Sequence, residues 1–473
     1  MLDNPLAPPW LIRPGDANAL ESPLWPATAQ RTPSGELAIG GVSASRLAAD
    51  YGTPLYVVDE ADARARAART REAFVSAFAA HGSSATVYYA SKALLTTEVA
   101  RWMVEAGLRL DVASGGELAV ALAAGVDPAL LGLHGNNKSL AEIDRAVAAG
   151  VGTIVLDSLE EVERVADAAQ RHDRTQSVRL RINSGVHAHT HEYLATARED
   201  QKFGIPLADA SDAVGAIRAR PSLRFLGLHS HIGSQIFRLD GFLEAARRLL
   251  AVHAELLAGG DVPELNLGGG FGIAYVVGDA PPAIEDIATG LAEAVAGVCR
   301  ELSIPMPAVA VEPGRTIVGP AGVTLYEVGT TKDVAVALDD GGSAVRRYVS
   351  VDGGMSDNAR PALYGADYSV RLASRSSAVD PVLVRLAGKH CESGDIVVQA
   401  DWLPGDVAAG DLVAVPATGA YCFSLASNYN YLVRPAVVAV RDGTARTLVR
   451  RETEHDLLRR DTGYNPIDQG VSE

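Results

Sequence analysis

Eight short β-rich runs alternating with amphipathic helical stretches constrain this chain more than any other feature. The runs are ATVYYAS, LRLDVAS, LLGLHGN, GTIVLDS, SVRLRIN, LRFLGLHSH, ELNLGGG and PAVAVEPG. Most are separated by segments such as ALLTTEVARWMVEAG, SLAEIDRAVAAG and FLEAARRLLAVHAELLAGG, whose apolar residues recur at helical spacing. A further Ala/Arg-rich helical segment, residues 61–80, precedes the first run. Apolar strands alternating with helices build parallel βα units. Eight such units in about 250 residues is the arithmetic of a closed (β/α)8 barrel. A doubly wound open sheet is the competing architecture, and the count of eight favours closure.

After about residue 317 the pattern changes to short runs broken by Gly, Asp and Pro, including GVTLYEVGTTKDVAVAL, DIVVQADWL and DLVAVPATG. These predict an all-β domain. The expected division is an N-terminal extension over 1–57 that partly joins the β domain, a barrel over 58–317, and a C-terminal β domain over 318–473. Segment 34–58 is expected to give the β domain a strand and a helix.

With 48% hydrophobic and 21% charged residues in 473, the chain has ample material for packed cores. Its formal net charge of −16 argues against sequence-independent nucleic-acid binding, which needs a basic footprint. It suits a protein that acts on a small molecule. Three cysteines, Cys299, Cys391 and Cys422, are too few and too scattered for a disulfide framework or a metal site. A reducing cytoplasm is the expected location, with no membrane span and no cleaved leader.

Barrel active sites lie at the C-terminal ends of the strands. Those ends here carry Lys92, Asp111, His134 with Asn136, Asp157, Arg181 with Asn183, His229 with His231, Gly268 to Gly270, and Glu312 with Arg315. Any one of these reads as a polar cap, but a whole rim of them points to chemistry. In LNLGGGFG, glycines Gly268, Gly269 and Gly270 follow a strand and could let backbone N–H groups close on a phosphate. A tight turn is an equally good reading of the triplet taken alone. Ser234 in HSHIGSQ, and Gly314 and Arg315 in EPGR, add further phosphate ligands. A phosphate cradle, a strand-end lysine and a strand-end glutamate together suggest pyridoxal 5′-phosphate. That cofactor needs a lysine for its Schiff base, a phosphate cup and a charged partner for the pyridine nitrogen. In GKHCESGD, Cys391 lies among polar residues that make poor core material, which favours a functional thiol over a buried one. Tyr421, after a glycine turn, reads equally well as a packed aromatic. HAHTH (187–191) is expected to be loop histidines and not a metal site.

Taken in order, YYASKA, HSHIGSQ, LGGGFG, EPGR, CESGD and GAY resemble the motif series of the fold-type III pyridoxal-phosphate decarboxylases. LHGNNKS, AHTHEY, KFG and VDGGMSDNARPALYG are similar to the diaminopimelate decarboxylases within that group. The likeness runs from about residue 40 to 455 and departs at Ser184, where the family usually has proline. It implies that Lys92 forms the Schiff base, His231 stacks on the cofactor ring, Glu312 pairs with the pyridine nitrogen and Asp111 supports the Lys92 side. It also implies that Ser234, Gly270, Gly314 and Arg315 surround the phosphate, closed by Tyr421. Arg315, Arg360, Tyr364, Glu392 and Tyr421 would meet the substrate, and Cys391 would be the proton donor. The implied reaction converts meso-diaminopimelate to lysine in a homodimer with shared sites. Ornithine or arginine decarboxylation, an alanine racemase-like reaction, and a cofactor-binding regulator without catalysis remain the alternatives.

Overall fold

The computed structural model describes residues 4–186 and 202–464. The segment HAHTH and most of the loop at 185–202 fall outside the described residues. The chain separates into two compact units, one of Arg64–Ile273 and Ala280–Ile317, the other of Met1–Ala63, Ala274–Asp279 and Val318–Glu473.

The first unit is a closed eight-stranded parallel barrel. Its strands are β1 (Ala85–Ala90), β2 (Arg109–Val112), β3 (Leu131–Leu133), β4 (Thr153–Leu156), β5 (Gln176–Asn183), β6 (Leu223–His229), β7 (Glu264–Asn266) and β8 (Ala308–Val311). Each pairs in parallel with its neighbour in sequence, β4 pairs with β5, and β8 pairs with β1 to close the ring. The eight runs read from the sequence are these eight strands, so the closed barrel holds and the open sheet does not.

The chain turns into a helix at the strand ends because short hydroxyl side chains cap the waiting N–H groups. Thr96, Ser114, Ser139 and Ser158 each accept a hydrogen bond from the N–H three residues on, opening the helices Thr97–Glu105, Gly115–Ala123, Leu140–Ala149 and Leu159–Arg171. Ser139 and Glu142 complete a reciprocal capping box. Inside the barrel a polar layer replaces hydrocarbon at one level. Buried Arg179 donates to Glu264 at 2.7 and 3.0 Å and to the Tyr88 hydroxyl at 3.1 Å.

The second unit is β-rich. Strand Leu55–Asp59 pairs antiparallel with Gly322–Ala337 and parallel with Ala436–Arg441, inside a seven-strand path. Strand Leu412–Pro416 adds to the same sheet through Gly322–Ala337. Leu24, Trp25, Leu37 and Ile39 pack into its core with Leu325, Ala414 and Val438. Residues from the first part of the chain and from its last third thus share this core about equally.

Candidate functional site

Strand register sets the levels of the barrel mouth. Ala90 pairs with Asp111, so Lys92 stands two residues beyond that level, in the single turn Ser91–Ala93. His229 pairs with Asn266 and Asn266 with Ala310, which brings Glu312 just above both. The Glu312 carboxylate is buried there. It accepts 2.7 Å from Asn266 Nδ2 and lies 3.3 Å from His229 Nε2 and 3.4 Å from His134 Nε2. His134 Nε2 also lies 3.5 Å from Asp111 Oδ1. Despite both neighbours, this buried Nε2 makes no hydrogen bond. His134, His229 and Glu312 are also close enough to chelate a metal, their ligand atoms lying within 4.8 Å of one another.

Burial dominates the protonation of this cluster. It pushes His134 well below and His229 below the ordinary histidine value, against the pull of Glu312. Burial pushes Asp111 well above the carboxylate range, and repulsion from Glu312 adds to it while Lys92 opposes. For Glu312 burial acts in the same upward direction. The imidazoles of His134 and His229 and the hydrogen bond from His229 outweigh it and hold the carboxylate ionised. The mouth therefore sets two buried carboxyls apart, Asp111 pushed toward its protonated form and Glu312 toward its ionised form, beside imidazoles that burial pushes toward neutrality. His231 is pushed down to about 3 by burial and by the nearby Lys92 ammonium. Its Nδ1 accepts from the Gly269 N–H at 3.3 Å, which leaves the proton of the neutral ring on Nε2.

On the other side of the mouth, Arg315 Nη2 donates to Ser234 Oγ at 2.9 Å. The glycine triplet follows from close backbone approach. A Cβ on Gly269 would lie 2.0 Å from the Glu312 carbonyl oxygen, and one on Gly270 would lie 2.1 Å from that of Gly233. Gly268 and Gly269 direct their N–H groups inward, to Asn266 Oδ1 at 2.8 Å and to His231. The triplet is thus a tight structural joint as well as a candidate cradle. A Cβ on Gly314 would lie 2.9 Å from the Ala90 carbonyl oxygen.

The remaining expected residues belong to the β-rich unit. Arg360 is buried there, donates to the Tyr368 hydroxyl at 2.6 Å and lies 4.4 Å from the Tyr275 ring centroid. Tyr364 in the same short helix is 68% exposed. Cys391 is exposed, as is Glu392 beside it, whereas Cys299 and Cys422 are buried. Tyr421 has φ +63 and is half-buried.

Several residues of these clusters went unread in the sequence. Asn266 fixes Glu312 but looks like an ordinary strand-end asparagine, and only its place two residues before a conspicuous glycine could have flagged it. Lys138, in LHGNNKS, is buried against Glu161 at 2.8 Å and donates to the Gly135 and Val155 carbonyls. Asp357 is buried between Tyr56, whose hydroxyl donates to its carbonyl at 2.6 Å, and the Tyr326 hydroxyl on its carboxylate. No local pattern announces either arrangement.

Comparison with known proteins bears on what these groups do. Residues 64–319 match the family model described as pyridoxal-dependent decarboxylase, pyridoxal binding domain. Diaminopimelate decarboxylase of Mycobacterium tuberculosis is 52% identical over 443 residues, covering 92% of this chain and 97% of the relative. The corresponding protein of Mycobacterium leprae is 50% identical, covering 96% and 95%. The solved diaminopimelate decarboxylase of M. jannaschii superposes with a TM-score of 0.85 at 30% identity, over 93% of this chain and 99% of that one. Among the described residues, no helix is long and apolar enough to cross a membrane. The matched segment contains every strand end that carries the mouth cluster, from Lys92 on β1 to Glu312 after β8, and by match and identity the chain belongs to the pyridoxal-dependent decarboxylases, in the diaminopimelate decarboxylase family.

Proposed function

We propose that this chain carries out pyridoxal 5′-phosphate-dependent decarboxylation of meso-2,6-diaminopimelate to L-lysine and CO2, the last step of lysine biosynthesis through diaminopimelate. Glu312 is the observation that carries the reading. A buried carboxylate held toward its ionised form and braced by Asn266 calls for a cationic partner. A protonated pyridine nitrogen would supply that cation. The other donors fit the same group, with an amine on Lys92 for the cofactor aldehyde and a guanidinium–hydroxyl pair at Arg315 and Ser234 for its phosphate.

When bound, the cofactor supplies a sink for the electron pair released as the C–CO2 bond breaks. Lys92 would hold the cofactor through its amine. His231, fixed by Gly269, would face the ring. Asp111, pushed toward its protonated form, would support the Lys92 side. Ser234, Gly270, Gly314 and Arg315 enclose the phosphate with Tyr421, while Gly268 and Gly269 shape the joint behind it. Arg360, already fixed by Tyr368 and Tyr275, holds the distal carboxylate with Arg315, Tyr364, Tyr421 and Glu392. Cys391 gives its proton to the carbon that has lost CO2. The enzyme is a cytoplasmic homodimer in which each Cys391 loop serves the partner's barrel. The activity named for the 52%-identical relative supports this substrate over ornithine or arginine.

The test is direct. Protein incubated with pyridoxal phosphate should turn yellow, and borohydride should fix the cofactor to Lys92. Lys92→Ala should lose that linkage. CO2 and lysine should form from meso-diaminopimelate. Turnover of ornithine in its place would sink the substrate assignment.

A further inference from the structure

Cys391 stands on an exposed loop, yet its backbone is fixed from several sides. Asp395 Oδ2 accepts from the His390 N–H at 2.8 Å and Oδ1 from the Met355 N–H at 2.6 Å. The Glu392 N–H bonds the His390 carbonyl at 2.8 Å. Two side chains continue this network. Asn430 Oδ1 accepts from the Cys391 N–H at 3.3 Å and faces His390 Nδ1 at 3.1 Å. His390 Nε2 reaches Ser356 Oγ at 2.8 Å, and its ring stacks on Tyr429 with centroids 5.2 Å apart.

Chemistry fixes the polarity of these bonds. A backbone N–H only donates, so the Asn430 atom facing Cys391 is the amide oxygen. The same oxygen meets His390 Nδ1, which must then carry its proton. One oxygen atom therefore ties the backbone of the thiol-bearing residue to the imidazole beside it. Asn430 holds this position with φ +52 and ψ 24, a left-handed conformation that asparagine tolerates better than most residues. His390 also reaches Ser356 in the loop that leads to Arg360, and the Ser427 N–H bonds the Ser356 carbonyl at 2.9 Å. Three loops of the β-rich unit, bearing Arg360, Cys391 and Asn430, thus meet at the imidazole.

We infer that His390, acting through Asn430, is a positioning residue that sets where the Cys391 thiol delivers its proton. The inference rests on the proposed role of Cys391 as proton donor. It assigns no contact with substrate to His390.

The test uses the full-length holoenzyme turning over meso-diaminopimelate in D2O, where the carbon that loses CO2 acquires one deuterium. Wild type should give label of a single configuration. His390→Ala should lower kcat about tenfold, as expected for loss of a hydrogen-bonded brace, with KM changed less than about twofold. It should also scramble the label, which a merely structural weakening would not do. His390→Asn places an amide N–H near the position of Nδ1 and should restore kcat and configuration. His390→Gln, which mimics Nε2 and keeps only the Ser356 bond, should not. If the alanine variant fails to fold, the Asn and Gln variants decide alone. Wild-type kcat and a single configuration in His390→Ala or His390→Gln would overturn the inference. The same result in Cys391→Ala would overturn the proton-donor role itself, and so separates the two failures.

Discussion

Replacing Lys138 with methionine should be among the most damaging single changes in the barrel, even though Lys138 is not placed in the reaction. Its Nζ has three protons and uses all of them, toward Gly135 O at 2.6 Å, Val155 O at 2.8 Å and Glu161 Oε2 at 2.8 Å. Lys138 is 3% exposed and Glu161 is 1% exposed. At this separation the attraction is roughly 6 kcal/mol for an effective dielectric of about 20. Burial works against it and leaves the Lys138 amine below its ordinary pKa despite Glu161, so the net worth of the intact pair is small. Losing one partner is a different matter. Lys138→Met strands a buried carboxylate that keeps only the Lys138 N–H at 3.3 Å and the Asp157 N–H at 2.9 Å, which should cost about 3–5 kcal/mol. Glu161→Gln strands the ammonium and should cost a similar amount. The double variant strands neither charge of the pair, so it should lose less than either single variant and far less than their sum. Urea unfolding of the three variants and wild type, followed by circular dichroism at equal cofactor loading, gives the coupling energy. Losses that add to within about 0.5 kcal/mol would refute the claim that the pair acts as a unit.

Glu312→Gln removes the charge that faces the ring nitrogen while keeping the shape, and should lower kcat by about 10- to 100-fold, the worth of one charge-assisted hydrogen bond; unchanged turnover of the loaded enzyme would rule out that role. Asp357 is pushed up to about 7 by burial, and the bonds from Tyr326 and Gly354 oppose this only in part. Because its folded value lies above the unfolded one, its contribution to stability is full below about pH 4 and is lost as the pH rises through about 7, up to roughly 4 kcal/mol in all. Asp357→Asn should flatten Tm between about pH 4 and 7, and an unchanged slope would exclude Asp357 as its source. Gly269→Ala would drive a methyl group to 2.0 Å from the Glu312 carbonyl oxygen, so it should lose cofactor binding together with thermal stability; a variant that binds normally would refute the tight joint.

The eight strands were legible because a parallel strand buried on both faces is largely apolar, and because amphipathic segments of helical spacing separate most of the runs. Rim residues such as Lys92, Asp111, His134 and Glu312 followed from the same rule, since they stand where the apolar run stops. Contacts made across sequence distance were not legible. Asn430 lies about forty residues from the cysteine whose N–H it accepts, and no periodicity connects them. Arg179 was hidden within an ordinary strand, where SVRLRIN alternates charged and apolar side chains and only the barrel interior explains a buried guanidinium. Residues Ala274–Asp279 leave the barrel segment for the β-rich unit without any shift in composition.

Closure of the barrel is what makes the cofactor chemistry available. Lys92 follows the first strand and Glu312 follows the eighth, with some 220 residues between them. In an open doubly wound sheet, residues so placed need not fall beside each other, because strand order is then set by crossovers. Here β8 pairs directly with β1, with Val309, Ala310 and Val311 beside Ala85, Thr86 and Val87. The contact continues past the strands, since the Ala90 N–H bonds the Pro313 carbonyl at 3.0 Å and a glycine at 314 lets that loop press against the Ala90 carbonyl. The turn carrying the amine and the turn carrying the carboxylate are therefore braced against each other by backbone. A cofactor held by its aldehyde carbon on one and by its ring nitrogen on the other would have its long axis fixed from both ends. Rotation about that axis would be left to contacts with the ring face and phosphate, and the choice of breaking bond to contacts with the substrate's distal groups, so the barrel turns would supply the first of three constraints.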